Sequence, residues 1–467
     1  MDYDVCIIGG GPAGYLAGIR AAQLGAKAAV IEMEELGGVC TNKGCIPTKA
    51  LLEVCSPILS SEKWSDMGVD VKYKINFPSV MTRMNEVVAY VRSGIKALLD
   101  SNKVSIIKGR AEFIDRYTLK IDQRQTVSAR FILIASGSIP SMPKIDGVTQ
   151  KGVFSSDGLF YLKDIPERVA IIGGGAIGIE YATILKSFGA KKIVLVEFMD
   201  RLLPFMDPDI SAYEKELIER LGIEVILSHK ASKIGLSNKG LRLALEPTSN
   251  NVTPASPIDV DNIFIATGRI PNTSNLGLEA IGIATSSGWI NVNMGMRTNV
   301  DNIYAAGDAN GIKLLAHAAF HQGMIAVENM FGKKAFFEPS LVPSVVYSKP
   351  PVAQVGMDEK AIKAAGMEPG IGTFDLSNSP MALIHGEPSG FIKVLTEKKY
   401  GRILGASIAG EHAYELISVF TSAITGEVTV DELKRTIFAH PSFSEAIKES
   451  AWAVEGLSQH TLRKYSQ

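Results

Sequence analysis

Cysteine is scarce in this chain: 467 residues hold four, Cys6, Cys40, Cys45 and Cys55, and none follows residue 55. A framework of structural disulfides spreads its cysteines along a chain, so that architecture is excluded. An excess of charge is also lacking, since 48 Lys+Arg against 49 Asp+Glu leave a formal net charge of -1. No long-range field steers a polyanion and no basic run marks a lipid or nucleic-acid surface, so neither nucleic acid nor membrane is expected as a partner. Missing too is any apolar run near the ~18 residues that cross a bilayer. The apolar stretch after Asp4 follows an acidic start and is punctuated by Gly9, Gly10, Gly11 and Gly14, which reads as a buried strand and turn rather than an export signal. A cytoplasmic location is expected.

Glycine is what the chain has in abundance, 44 residues in a composition 46% apolar and 21% charged. This suits an α/β protein with many tight strand-to-helix turns, and at ~150 residues per core the length predicts about three domains. The glycines fall into an internal repeat. Val5-Cys-Ile-Ile-Gly9-Gly-Gly-Pro-Ala-Gly14 recurs as Val169-Ala-Ile-Ile-Gly173-Gly-Gly-Ala-Ile-Gly178, and each copy reaches a second apolar strand ending in an acid, Glu32 or Glu197. In such a βαβ unit the first glycine (Gly9, Gly173) makes the turn and the second (Gly11, Gly175) lets backbone approach a pyrophosphate. The third (Gly14, Gly178) lets helix pack on strand, and the acid takes ribose hydroxyls. One GxGxxG is a weak signal; two in register with strand, helix and acid are not ordinary turns. Two dinucleotides are expected. Glu197 would repel a 2'-phosphate, and Phe198, Met199 and Asp200 offer no cation to accept one, so NAD is favoured for the second unit, with Arg201 the nearby reservation.

Cys40 and Cys45 follow the first acid closely, separated by four residues that include Gly44. On a regular helix they would lie about half a turn out of phase, so a bond between them needs a break that Gly44 makes accessible. Zinc needs four ligands and no second CxxC or His pair accompanies these two, so no metal is expected. Two unlinked core thiols are the other alternative. A redox pair directly after the first unit makes that unit the FAD site and the second the nicotinamide site. Cys6 and Cys55 read as core residues. Apolar strands ending at Gly137 and Gly268, and another delivering Asp308, suit close passage of backbone by a cofactor. Helices are expected between about 46 and 100. Beyond Pro339 the glycine motifs stop, and strands near 391 to 396 and 403 to 408 precede three helices, an α+β pattern.

In order and across nearly the whole chain, Gly37-Gly-Val-Cys40-Thr-Asn-Lys-Gly-Cys45-Ile-Pro-Thr-Lys49, the doubled glycine motif, Ile265-Ala-Thr-Gly268, Tyr304-Ala-Ala-Gly-Asp308 and His440-Pro-Ser-Phe-Ser-Glu445 resemble the pyridine nucleotide-disulfide oxidoreductases, and among them the dihydrolipoamide dehydrogenases. The resemblance implies an α/β chain with two Rossmann-like dinucleotide-binding domains and a C-terminal α+β dimerisation domain. The expected limits are 1–145 and 146–270 for FAD and NAD, 271–340 completing the FAD site, and 341–467 for the interface.

It further implies that a Cys40–Cys45 disulfide and FAD carry electrons from dihydrolipoamide to NAD, in the service of 2-oxoacid dehydrogenase or glycine cleavage complexes. Cys45 then meets the flavin and Cys40 the substrate, with His440 of a homodimer partner as the base. Lys49 pairs with Glu180 near the flavin and nicotinamide, and Asp308 holds the ribityl chain. The expected partner is a lipoylated acyltransferase or lipoyl carrier protein. Glu445 either orients His440 or caps its helix, since Ser442-x-x-Glu445 is also a capping box. The alternatives are an NADPH-dependent glutathione-type reductase, or a chain that is chiefly a docking subunit of a multienzyme complex. Lys43 departs from the small aliphatic residue usual in these enzymes, Thr41 from Leu and Thr48 from Ser. A cation between the thiols is expected to favour thiolate.

Overall fold

In the computed structural model the described residues are 1–462, apart from 123 and 239. Strand β1 (Tyr3–Ile8) is buried over its last four residues, as befits a central parallel strand covered on both faces. The chain turns at Gly9, φ +105°, into α1 (Pro12–Gln23), where Pro12 sits at a helix start that needs no amide hydrogen. It returns as the wholly buried β2 (Ala28–Glu32). Three helices follow, α2 (Gly38–Lys43), α3 (Cys45–Asp66) and α4 (Phe77–Ser101), the last capped by the Asn76 side chain on the Ser79 amide at 3.2 Å. Strands β3 (Ser105–Lys108), β4 (Ala111–Phe113), β5 (Thr118–Ile121) and β6 (Gln125–Ile134) complete the order β3-β2-β1-β6-β5-β4, with Ile7 opposite Leu133.

A short β7 (Ser138–Pro140) leads to a second parallel sheet made of β8 (Val153–Ser155), β9 (Arg168–Ile172), β10 (Lys192–Val196), β11 (Glu224–Ile226) and, later, Asn262–Ile265. Helix α5 (Ala176–Ser187) joins β9 to β10 and α6 (Pro208–Arg220) joins β10 to β11. The antiparallel strands β12 (His229–Ser237), β13 (Gly240–Pro247) and β14 (Ile258–Val260) precede β15 (Asn262–Ile265), which lies beside β9. The internal repeat is thus a repeat of structure, with β9, α5 and β10 repeating β1, α1 and β2. Immediately after β15, β16 (Arg269–Pro271) pairs antiparallel with β7, a two-stranded ribbon between the sheets.

After a small hairpin, β17 (Thr285–Ser286) with β18 (Trp289–Ile290), the strand β19 (Ile303–Ala305) rejoins the first sheet parallel to β6. Helix α7 (Ala316–Met330) then lies against α1 so closely that a Cβ at Gly323 would meet the Ala13 carbonyl oxygen at 2.4 Å.

The rest of the chain has its own core, including Phe374, Ile392, Phe420 and Ile447. Its antiparallel sheet consists of β20 (Ser344–Val346), β21 (Val352–Gly356), β22 (Pro369–Asp375), β23 (Phe391–Glu397) and β24 (Ile403–Ala409), in the order β20-β21-β24-β23-β22. Two short helices, α8 (Glu359–Ala364) and α9 (Pro380–Ile384), lie between its strands, and α10 (Ala413–Thr425), α11 (Val430–Arg435) and α12 (Glu445–Ala453) follow it. Two nucleotide-type sheets and a C-terminal α+β unit make the α/β architecture expected from the sequence. Among the described residues no helix is long and apolar enough to cross a membrane.

Candidate active site

Both glycine loops open into one cavity of about 1250 Å³. In the first, a Cβ at Gly9 would lie 2.3 Å from the Ala135 carbonyl oxygen, and one at Gly14 would lie 1.8 Å from that of Gly9. The second repeats this, with Gly173 at 2.4 Å from the Ala266 oxygen and Gly178 at 1.9 Å from that of Gly173. Gly11 and Gly175 lack such crowding, line the cavity, and sit at the starts of α1 and α5, which no side chain caps. Each acid is locked in the same way: Glu32 Oε2 accepts from the Gly10 amide at 2.7 Å and Glu197 Oε2 from the Gly174 amide at 2.5 Å. Two uncapped helix starts beside an acid fit two pyrophosphate-bridged dinucleotides.

Near Glu197 the chain offers little to a 2'-phosphate. Arg201 turns to the Pro204 carbonyl at 2.9 Å and is not among the cavity residues. Lys230 does line the cavity, a cation not foreseen from its place in the chain, and it pairs with Glu246 at 2.9 Å.

The cysteines stand where two helices meet. Cys40 is inside α2, Cys45 opens α3, and Gly44 breaks the helical path between them at φ -149° and ψ -112°. A Cβ on Gly44 would meet the Val39 carbonyl oxygen at 3.0 Å and the Cys40 Cα at 3.4 Å. Both sulfurs are thiols here and both line the cavity. Cys45 is held below its ordinary range, first by a hydrogen bond from Cys40 and then by the charge of Lys49, against the opposing effect of burial. Cys40 is pushed up by sharing its proton with Cys45 and by burial. The pair therefore keeps its negative charge on Cys45. By contrast, burial pushes Cys6 and Cys55 each up to about 12, which leaves them inert.

Lys49, one turn into α3, reaches across to the second nucleotide unit: its Nζ lies 2.8 and 2.9 Å from the two oxygens of Glu180 on α5 and 4.3 Å from the centre of the Tyr347 ring. Lys43 corrects an expectation. It does not sit between the thiols but turns to Glu34, 2.7 Å away, and that bond raises its own proton affinity.

Asp308 lines the cavity and accepts a hydrogen bond from Ser138 at 2.5 Å, with Arg269 at 3.9 Å. Burial raises its carboxyl, and Ser138 and Arg269 oppose that. Sequence reading missed Ser138 and Arg269, which belong to the β7–β16 ribbon. Gly137 and Gly268 stand just before the two ribbon strands at φ +74° and +99° and line the same cavity.

His440 lies apart. Its side chain is 71% exposed and absent from the cavity lining, so one chain does not bring it to its own Cys40. Its Nδ1 is 2.9 Å from Glu445 Oε1, while Glu445 Oε2 accepts from the Ser442 amide at 3.0 Å. The carboxylate thus holds the imidazole and the turn before α12 at once, but it does not cap that helix: the N-cap is Ser444, no side chain caps it, and the capping box open to Ser442-x-x-Glu445 on sequence is not formed. Ile437, three residues earlier, is 93% exposed, an apolar side chain without cover in a single chain.

Residues 3–323 match the family described as pyridine nucleotide-disulphide oxidoreductase, and residues 342–451 match its dimerisation domain. A dihydrolipoyl dehydrogenase of Bacillus subtilis is 35% identical over 98% of this chain and 99% of its own length, and one of Thermus scotoductus is 36% identical over 99% of each. Among solved structures, the HOCl-induced flavoprotein disulfide reductase RclA of Escherichia coli superimposes with a TM-score of 0.85 at 29% identity, covering 96% of this chain and 99% of that one. With both family regions matched, the chain belongs to the pyridine nucleotide-disulphide oxidoreductases, and it is a homodimeric flavoprotein oxidoreductase that uses FAD and NAD.

Proposed function

We propose that the chain is a dihydrolipoyl dehydrogenase, which oxidises dihydrolipoamide to lipoamide with reduction of NAD. The observation that carries this is the helix break at Gly44, which sets Cys40 and Cys45 side by side and biases the negative charge to Cys45. His440 of the partner subunit takes the proton of one substrate thiol, whose sulfur attacks Cys40 Sγ in the Cys40–Cys45 disulfide. That bond breaks, and Cys45 leaves as a thiolate steadied by Lys49. The second substrate sulfur then displaces Cys40 from the mixed disulfide, its proton passing to the departing Cys40 sulfur, which closes the lipoamide disulfide and leaves Cys40 a thiol and Cys45 a thiolate. The low proton affinity of Cys45 favours it as the leaving sulfur.

Gly9, Gly11, Gly14, Glu32, Gly137 and Asp308 would hold FAD; Gly173, Gly175, Gly178, Glu180, Glu197 and Gly268 would hold NAD. When bound, FAD supplies a two-electron carrier between the cysteine pair and the nicotinamide. Residues 1–145 and 271–340 serve the flavin in this reading, 146–270 the nicotinamide and 341–467 the dimer. The partner is a lipoylated acyltransferase or lipoyl carrier protein. A cytoplasmic setting belongs to the same reading, because the cysteine pair has to remain reducible. Preference for NAD is supported by Glu197, whose carboxylate would face a 2'-phosphate.

Steady-state rates with NADH or NADPH as donor and lipoamide or glutathione disulfide as acceptor test the proposal. NADH with lipoamide is expected to exceed NADPH with glutathione disulfide by at least about 100-fold in kcat/KM. The reverse preference would identify a glutathione-type reductase.

A further inference from the structure

Glu214 lies in the middle of α6, in a run, Tyr213-Glu214-Lys215-Glu216, that reads like an exposed helical face. In the fold its exposure is 0%, as is that of Ser348 opposite it. Ser348 Oγ lies 2.9 Å from Glu214 Oε2 and 2.8 Å from the Pro350 carbonyl oxygen. A hydroxyl has one hydrogen to give, and a carbonyl oxygen only accepts. Were Glu214 a carboxylate, two acceptors would compete for that hydrogen, and one contact would set lone pair against lone pair. Both contacts are satisfied when the carboxyl carries a proton: Glu214 donates to Ser348 Oγ, and Ser348 donates to Pro350. Glu214 Oε1 has no hydrogen-bond partner, a modest cost for the carbonyl oxygen of an acid and a heavy one for a share of negative charge.

The surroundings agree. Glu180 of α5 and Tyr213 of the same helix are the titratable groups nearest in the network, Lys215 is turned to Glu219 at 2.7 Å, and Lys349 follows Ser348 in the chain. Among the described residues Glu214 has no ion-pair partner. Burial, with a smaller push from Glu180, drives the carboxyl up to about 8.

The segment that Glu214 grips also supports the reactive cysteine. Tyr347, next to Ser348, donates its amide to Glu180 Oε1 at 3.1 Å, and its ring faces Lys49. We propose that Glu214 is a neutral carboxylic acid that pins residues 347–350 to α6 and through them holds the Lys49–Glu180 pair beside Cys45, making it a positioning residue for the Cys45 thiolate. This rests on the reading of Cys45 given above. Once ionised, Glu214 repels Glu180 and no longer donates to Ser348, so the support that Lys49 gives Cys45 weakens at alkaline pH.

Two measurements on the flavin-loaded dimer test the inference. The infrared spectrum of the wild type at about pH 7 is expected to hold a protonated-carboxyl band that shifts in heavy water, fades through about pH 8 and is absent from Glu214→Gln. A wild-type spectrum without that band overturns the proposal. The second measurement is the alkylation rate of the reduced cysteine pair against pH. Glu214→Gln keeps a donor toward Ser348 and cannot ionise, so it should match wild type at about pH 7 and react roughly two- to threefold faster at about pH 9. Equal rates at both values, with the acid band present, would leave Glu214 a structural acid only and overturn its positioning role. Lys49→Met distinguishes failure of the underlying reading: alkylation unchanged at every pH would show that Lys49 does not support the thiolate, whatever the state of Glu214. Should Glu214→Gln not fold, Ser348→Ala serves instead. It removes the acceptor of the acid's hydrogen, a bond that favours the neutral form, and is expected to move the midpoint of the infrared band downward; an unmoved or raised midpoint counts against the proposal.

Discussion

Glu445 divides its two oxygens between two tasks, one on His440 Nδ1 and one on the Ser442 amide. Of the two explanations that compete on the sequence Ser-x-x-Glu, orientation fits and capping does not, because α12 begins at Glu445 itself after Ser444 and the second oxygen holds the turn that precedes it. A glutamine has one acceptor and can keep only one of the bonds. His440→Gln is expected to lower kcat for dihydrolipoamide oxidation by ~10²- to 10⁴-fold, the range for loss of a general base. Glu445→Gln should cost less, roughly tenfold, with the acidic limb of the pH profile displaced, whereas a purely structural role in the turn before α12 would change stability and leave the pH profile in place. His440, Glu445 and the cysteine pair stood out in the sequence because their chemistry and spacing are local. What Lys43 does was not legible, since the Glu34 that captures it lies across a turn and nothing in Thr-Asn-Lys-Gly fixes the direction of a long side chain.

At the scale of elements, the doubled strand-turn-helix-strand unit was readable because apolar strands, glycine spacing and terminal acid are all short-range signals. The two copies make the same bond from a glycine amide to a glutamate across 22 and 23 residues. The two turns offer separate handles on the two cofactors. A methyl at Gly173 would press on the Ala266 carbonyl in backbone at φ +116°, and one at Gly9 on that of Ala135 at φ +105°. Gly173→Ala is therefore expected to weaken NADH binding by at least about tenfold while flavin content holds, and Gly9→Ala to lower flavin content while the second loop is intact. Flavin absorbance of the purified protein and NADH titration read these outcomes; loss of flavin from Gly173→Ala would mean that the two sites do not answer to separate loops. The β7–β16 ribbon was invisible beforehand. Its strands have three residues each and are joined by pairing across some 131 residues, so neither period nor turn residue announces them.

Across the whole molecule, the second nucleotide sheet is fastened to the C-terminal unit by a buried cation. Lys393 of β23, 3% exposed, reaches Asp207 at 2.8 Å, Asp209 at 2.7 Å and Glu359 at 3.4 Å, and Asp207 is itself 2% exposed at the start of α6. Removing one member of such a group strands its partner's charge out of water. Lys393→Met is expected to cost ~3–5 kcal/mol in denaturant unfolding, and adding Asp207→Asn should recover a large part of that. If the double variant is no more stable than the single one, the cluster is not the fastening. Contacts of this kind, like the burial of Glu214, join residues far apart in sequence, and a charged side chain on a helix or strand looks solvated until the other domain is in place.

The separation of His440 from the cavity of its own chain has a genetic consequence. If each reaction centre takes its thiols from one polypeptide and its imidazole from the other, a chain damaged at Cys40 and a chain damaged at His440 are each inert alone. Paired, they rebuild one intact centre from the undamaged half of each. Two such alleles would complement one another within a single cell, while two alleles damaged in the same half would not.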